Sequence, residues 1–129
     1  MTATITDVMQ RDFPRLSPSM PIRDAVAMLV GAGISGAPVV GDDDSLMGML
    51  TQKDCFRPAL KASYYRQWSG TVADHMSGEP RTLDAGTDLV TAGEAFIEHP
   101  HRLFPVTDAD RLVGLLRRSD VLAALLALG

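Results

Sequence analysis

The stretch Gly48-Met49-Leu50-Thr51-Gln52-Lys53-Asp54 sets groups suited to a phosphate and a sugar at the junction of a strand and a helix. A glycine at position 48 lets a ligand approach the backbone closely. The first-turn amides of the following helix, at the positive end of its dipole, favour phosphate. Thr51 can donate a hydroxyl hydrogen bond, and the Asp54 carboxylate can accept two from a ribose diol. The same residues also suit a purely structural role, with Thr51 capping the helix and Asp54 completing its first turn. Asp120 repeats the Asp54 position in the second half of the chain, which tips the balance towards binding.

Other reactive types carry less. His99-Pro100-His101 is closely spaced, but the proline interrupts a helix and no cysteine or third histidine joins the pair, so a zinc site is not expected. His101 occupies the position of Ile34 in the first half, which predicts a partly buried, hydrogen-bonded ring. Asp42-Asp43-Asp44 lacks the alternating ligands and closing glutamate of a calcium loop and reads as a solvated turn. Cys55 has no base beside it in sequence, and the adjacent Asp54 raises a thiol pKa, so a small buried residue is expected. There is no Walker loop and no G-x-S-x-G element.

The elements that position these groups come from an internal repeat. Asp7-Val8-Met9 recurs as Asp74-His75-Met76, and Ala37-Pro38-Val39 as Phe104-Pro105-Val106, both at an offset of 67. Ile22, Ala25, Val26, Leu29 and Val30 recur at that offset as Leu89, Ala92, Gly93, Phe96 and Ile97, the spacing of one buried helix face. Past a turn one residue shorter, Gly48-Met49-Leu50 recurs as Gly114-Leu115-Leu116, and Phe56, Ala59 and Leu60 as Leu122, Leu125 and Leu126. Each copy predicts a helical lead-in (5–9; 72–76), an extended segment near Leu16 or Leu83, and an amphipathic helix (21–32; 88–99). A hairpin (37–40 with 46–51; 103–107 with 112–116) and a closing helix from Gln52 or Arg117 follow. The expected division is 1–62, a joining segment 63–70, and 71–129, an α/β (α+β) architecture of two tandem β-α-β-β-α units. The joining segment holds the only tryptophan, Trp68, and both tyrosines, Tyr64 and Tyr65, and is expected to pack onto the domain.

Ile34-Ser35-Gly36-Ala37-Pro38-Val39-Val40, followed by 46–51 and Asp54, resembles a CBS domain, and 103–108 with 112–120 resembles its partner. The resemblance implies a stand-alone CBS pair (Bateman module) with pseudo-twofold symmetry and two clefts, which in that family commonly take AMP, ADP, ATP or S-adenosylmethionine. By that resemblance Thr51 would meet phosphate, Asp54 the ribose, and Met49 the base or sugar of a first-cleft nucleotide. Arg102 would supply a phosphate-binding cation, as in the regulatory subunit of AMP-activated kinase, or stand as a solvated strand-end arginine. Pro80 and Arg81 would line the base side through their backbone. The second cleft departs from the pattern. Arg117 replaces Thr51, Ser35 replaces Arg102, and Asp120 remains, with Phe13 and Pro14 as base contacts. Arg117 could fork onto phosphate or fill the cleft and pair with Asp120.

Composition agrees with a globular binding module. Of 129 residues, 46% are hydrophobic and 22% charged, and a net charge of −4 argues against a general nucleic-acid grip. The lone cysteine excludes an internal disulfide and fits a reducing compartment. Residues 1–7 lack the features of a secretory signal, and residues 121–128 are too short to span a bilayer, so a cytoplasmic protein without membrane attachment is expected. The segment 121–128 is apolar nearly all round, which predicts a homodimer. The expected function is a regulatory module, not an enzyme and without a cofactor, that binds an adenine nucleotide or S-adenosylmethionine and signals to an unknown regulated protein. The rivals are a ligand-independent dimerisation module and a divalent-cation sensor.

Overall fold

The repeated patterns fold as the periodicity requires. The computed structural model describes residues 3–129. A 3-10 turn, Ile5–Asp7, leads into an irregular segment and then into α1 (Ile22–Ala32), which buries Ile22, Ala25 and Leu29. Gly33, at φ 65, ends α1 in the left-handed conformation, and its N–H bonds back to Leu29 and Val30. The hairpin β1 (Gly36–Val40) and β2 (Leu46–Thr51) pairs antiparallel with a register shift at Val39/Val40. α2 (Gln52–Tyr65) follows directly, and the short α3 (Val72–His75) opens the second repeat. β3 (Leu83–Asp84) lies parallel to β4 (Leu103–Asp108), which pairs antiparallel with β5 (Arg111–Arg117). α4 (Leu89–Glu98) precedes that hairpin and α5 (Arg118–Leu128) follows it. Asp88 caps α4 by accepting from the Thr91 N–H at 2.7 Å. That hydrogen bond holds its carboxyl below the usual range.

The chain forms two compact units whose limits differ from the 1–62, 63–70 and 71–129 division of the repeat. One is continuous, Pro14–Pro80; the other joins the segment ending at Phe13 to Arg81–Gly129. Each repeat's lead-in therefore packs with the strands of the other repeat. In the continuous unit, Val72 and Met76 join the core of Leu16, Ile22, Leu29, Val39 and Leu50. In the discontinuous unit, Ile5 and Met9 join Leu89, Val106, Leu116 and Val121.

The two glycines of the repeated Gly-Met/Leu-Leu motif explain the exchange. A Cβ on Gly48 would lie 2.5 Å from the Ser77 carbonyl oxygen and 2.8 Å from Met76 Sδ. A Cβ on Gly114 would meet the Met9 side chain. Backbone pairs seal both contacts: Met49 with Ser77 (3.1 and 2.9 Å) and Gln10 with Leu115 (2.8 and 2.9 Å). Gly48, expected to admit a ligand, instead admits the lead-in of the second repeat through its missing side chain.

The joining segment also differs from expectation. Residues 63–65 belong to the last turn of α2, which ends at Arg66 in the left-handed conformation. Trp68 packs against the core of the continuous unit, as expected of an aromatic linker, whereas Tyr64 and Tyr65 are exposed and meet edge to face.

Candidate functional site

Thr51 and Asp54 sit where β2 runs into α2, and the local geometry follows from the sequence Thr-x-x-Asp. Thr51 is extended (φ −105, ψ 162) and its Oγ1 accepts from the Asp54 N–H at 3.2 Å. The Thr51 N–H donates to Asp54 Oδ2 at 2.9 Å. This reciprocal capping box satisfies two amides that the helix start would leave unpaired. Asp54 stays partly accessible, and no described hydrogen bond engages its Oδ1. Gln52 reinforces the junction: its N–H donates to the Ser35 carbonyl and its Nε2 to the Ile34 carbonyl, each at 2.8 Å. Gln52 has no role among the sequence expectations, although its place directly after the capping threonine signals one.

The matching junction between β5 and α5 is built from different side chains. Arg117 takes the extended cap position (φ −92, ψ 144) without a capping hydroxyl. Its Nε and Nη2 donate to Asp120 Oδ2 and Oδ1 at 2.8 and 2.9 Å. Of the two roles open to Arg117, the structure adopts the bidentate pair with Asp120. That hydrogen bonding pushes the already high guanidinium pKa further up. Arg102 stands beside this junction, its carbonyl accepting from the Arg118 N–H at 2.8 Å, as Ser35 does for Gln52.

The remaining candidates divide between the two units. Met49, Thr51, Asp54, Ser35, Pro14 and Pro80 belong to the continuous one; Phe13, Arg81, Arg102, Arg117 and Asp120 belong to the other. The chain passes between units at Phe13/Pro14 and again at Pro80/Arg81, so both predicted base-side pairs are crossover points. Met49 and Phe13 are buried, whereas Arg81 and Arg102 are exposed.

His101 corrects the sequence reading. It is exposed rather than partly buried, and its ring stacks on Phe104 (centroids 5.2 Å apart, planes at 23°) with His99 edge-on at 5.9 Å. Partial desolvation, with His99 and Arg81 nearby, lowers its pKa. Cys55 is buried as expected, and its thiol donates to the Thr51 carbonyl at 3.3 Å. Burial first, and the Asp54 charge second, raise its pKa. The triad of aspartates is exposed; Asp43 Oδ1 accepts from the Ser45 N–H and Asp44 takes a left-handed φ of 61. Among the described residues, no group of three or more His, Cys, Asp or Glu side chains is placed to hold a metal ion. Among them, no helix is long and apolar enough to cross a membrane.

Comparison with known proteins gives this arrangement a context. The family model described as CBS domain matches residues 5–60 and again 72–127. The chain is 26% identical to the CBS domain-containing protein CBSX2 of Arabidopsis thaliana over 86% of its length. A crystal structure of CBSX2 in complex with AMP is 28% identical, covers 97% of each chain and superposes with a TM-score of 0.85. The CBS domain-containing protein YhcV of Bacillus subtilis is 27% identical over 92% of this chain and 83% of its own. The uncharacterised protein MJ1225 of Methanocaldococcus jannaschii is 22% identical over 94% of this chain. The chain spans only 42% of MJ1225 and 58% of CBSX2.

Proposed function

Because the chain belongs to the CBS domain family, with two copies in tandem, we propose that it is a regulatory module that senses an adenine nucleotide. The observation that carries this reading is the crystal structure of CBSX2 with AMP, a relative aligned over 97% of both chains. The local chemistry agrees with it. At the junction of β2 and α2 a hydroxyl and a carboxylate with an open oxygen lie together at a helix start, groups suited to phosphate and ribose. Thr51, Asp54 and Met49, with Arg102, Pro80 and Arg81, form the first candidate set. The second, Arg117, Asp120, Ser35, Phe13 and Pro14, is the weaker, because Arg117 and Asp120 already satisfy each other.

In this reading the protein is a cytoplasmic homodimer, is not an enzyme, and passes ligand occupancy to a separate regulated protein. A ligand achieves that only through its different affinity for the alternative conformations. Thermal melts with AMP, ADP, ATP and S-adenosylmethionine test the proposal, and calorimetry with the best of them is expected to give one site per chain. Unchanged melting with all four would overturn the sensing role. That outcome would favour a ligand-independent dimerisation module, for which the exposed apolar faces of α2 and α5 speak.

A further inference from the structure

The two strand-to-helix junctions share one backbone. Gly36 pairs with Thr51 and Leu103 with Arg117, the same register in each hairpin, and the strand irregularity falls at the same place, Val39/Val40 and Val106/Thr107. Thr51 and Arg117 both hold an extended cap conformation, with φ and ψ of −105 and 162 against −92 and 144. In each junction the next N–H donates at 2.8 Å to the residue before the neighbouring strand, Gln52 to the Ser35 carbonyl and Arg118 to that of Arg102. Asp54 and Asp120 stand third in their helices, and both are partly buried. What differs is the state of the carboxylate. Asp54 receives the Thr51 N–H on Oδ2, and no described hydrogen bond engages its Oδ1. Asp120 receives Arg117 on both oxygens, at 2.8 and 2.9 Å, and α5 has no capping hydroxyl.

From this contrast we infer that Arg117 is a built-in occupant of the β5/α5 junction, closing by itself a nucleoside site whose backbone is intact. This rests on the nucleotide reading and goes beyond it: the second set is shut, not lost, and one residue shuts it. A forked guanidinium on a carboxylate is the surface ion pair whose geometry makes it count, and a neutral sugar hydroxyl brings no charge with which to displace it. Threonine at position 117 would release both Asp120 oxygens and return a hydroxyl to accept the Asp120 N–H, as Thr51 does for Asp54. It would also remove a cation, and Ser35 stands in this set where the first has Arg102. The reopened site therefore suits a nucleoside, whose ribose needs the carboxylate and which has no phosphate to neutralise.

Calorimetry of the full chain with adenosine and with AMP tests the closure in an Asp54→Ala background, which disables the first set. Asp54→Ala/Arg117→Thr is expected to gain one adenosine site per chain over its parent. The gain should be at least tenfold in affinity, the factor that one hydrogen bond to a charged group amounts to. Adenosine and AMP should bind the gained site within about threefold of each other, since no guanidinium is left there to fork onto the phosphate. Adding Asp120→Ala should abolish it. Arg117→Ser supplies the same hydroxyl and repeats the test if the threonine variant fails to fold. No gain in a folded double variant, or a gain that survives Asp120→Ala, overturns the closure. A gained site that prefers AMP more than tenfold overturns the assignment to a nucleoside. Wild type that binds AMP while the double variant gains nothing sinks the closure alone, whereas no binding by wild type or any variant sinks the nucleotide reading beneath it.

Discussion

Asp54 is asked to hold two things at once. Its Oδ2 accepts the Thr51 N–H and no described hydrogen bond engages Oδ1, so the proposed ribose contact would use the oxygen that the cap leaves open. Asp54→Ala should lower the stability of the ligand-free protein by about 0.3–1.5 kcal/mol, the worth of the N3 half of a capping box. It should also remove the stabilisation by AMP, which at about 100 times its dissociation constant adds roughly 2.7 kcal/mol to an intact site. Melts of both proteins with and without AMP separate the roles: an equal AMP shift in the variant would leave Asp54 as a cap alone. Cys55 gives a pH test. Burial and the Asp54 charge raise its pKa, so the thiolate is scarcer than in a free cysteine at any pH below the raised value. Alkylation of the native protein should be slower than in urea and should keep rising beyond the ordinary cysteine range. Equal rates in the two states would contradict this. Residue types and the repeat made Thr51, Asp54 and Cys55 legible. They could not show that Gly48 faces Met76 and Ser77, because that neighbour lies 28 and 29 positions away and belongs to the next repeat. Nor could they show that His101 lies on the outer face of Phe104: alignment with Ile34 carries over backbone position, not side-chain exposure.

At the scale of elements, helix-face spacing, the repeat and the turn-rich hairpin connections located the helices and strands to within a few residues; periodicity alone did not mark β1 and β4, which are buried on both faces. The end of α2 escaped, since Tyr64 and Tyr65 are exposed and leave no periodic trace. α5 shows the same limit from the other side. Its pattern is apolar nearly all round, yet only Val121 is fully buried, while Leu125 reaches the core beside Gly93 and Leu126 faces outward. In the continuous unit β2 packs directly against the segment after α3, and Gly48 is what permits it. Gly48→Ala should destabilise the protein by about 1–3 kcal/mol, the cost of overpacking, because one obstruction is a backbone carbonyl that cannot rotate away. Chemical denaturation measures it. By contrast, Gly78→Ala has open space around its Cβ and should change stability by well under that amount. Equal effects at the two positions would refute the packing account of Gly48.

The repeat shows that two halves are alike; it does not say which lead-in packs on which hairpin. Both choices leave the same period in the sequence, and the exchange found here was therefore not legible. It has a consequence for the whole molecule. A fragment 71–129 lacks Ile5, which is fully buried in its unit, and Met9, which covers Gly114. A fragment 1–62 lacks Val72, also fully buried, and Met76 over Gly48. Each such apolar side chain is worth about 1.5–3 kcal/mol of burial. Losing two, with the backbone pair that accompanies them, removes much of the roughly 5–15 kcal/mol that stabilises a whole domain. Neither fragment should show a cooperative melt by circular dichroism. Mixed in equal amounts, they should regain one, since each brings the lead-in or the strands the other needs. Fragment 14–80 should behave differently although it is of similar length, because it contains its entire unit without a break. It should melt cooperatively alone, at a lower temperature than the full chain, as its small size dictates. If 1–62 melts cooperatively and 14–80 does not, the repeat and not the exchanged unit is what folds, and the roles given to Met9 and Met76 are wrong.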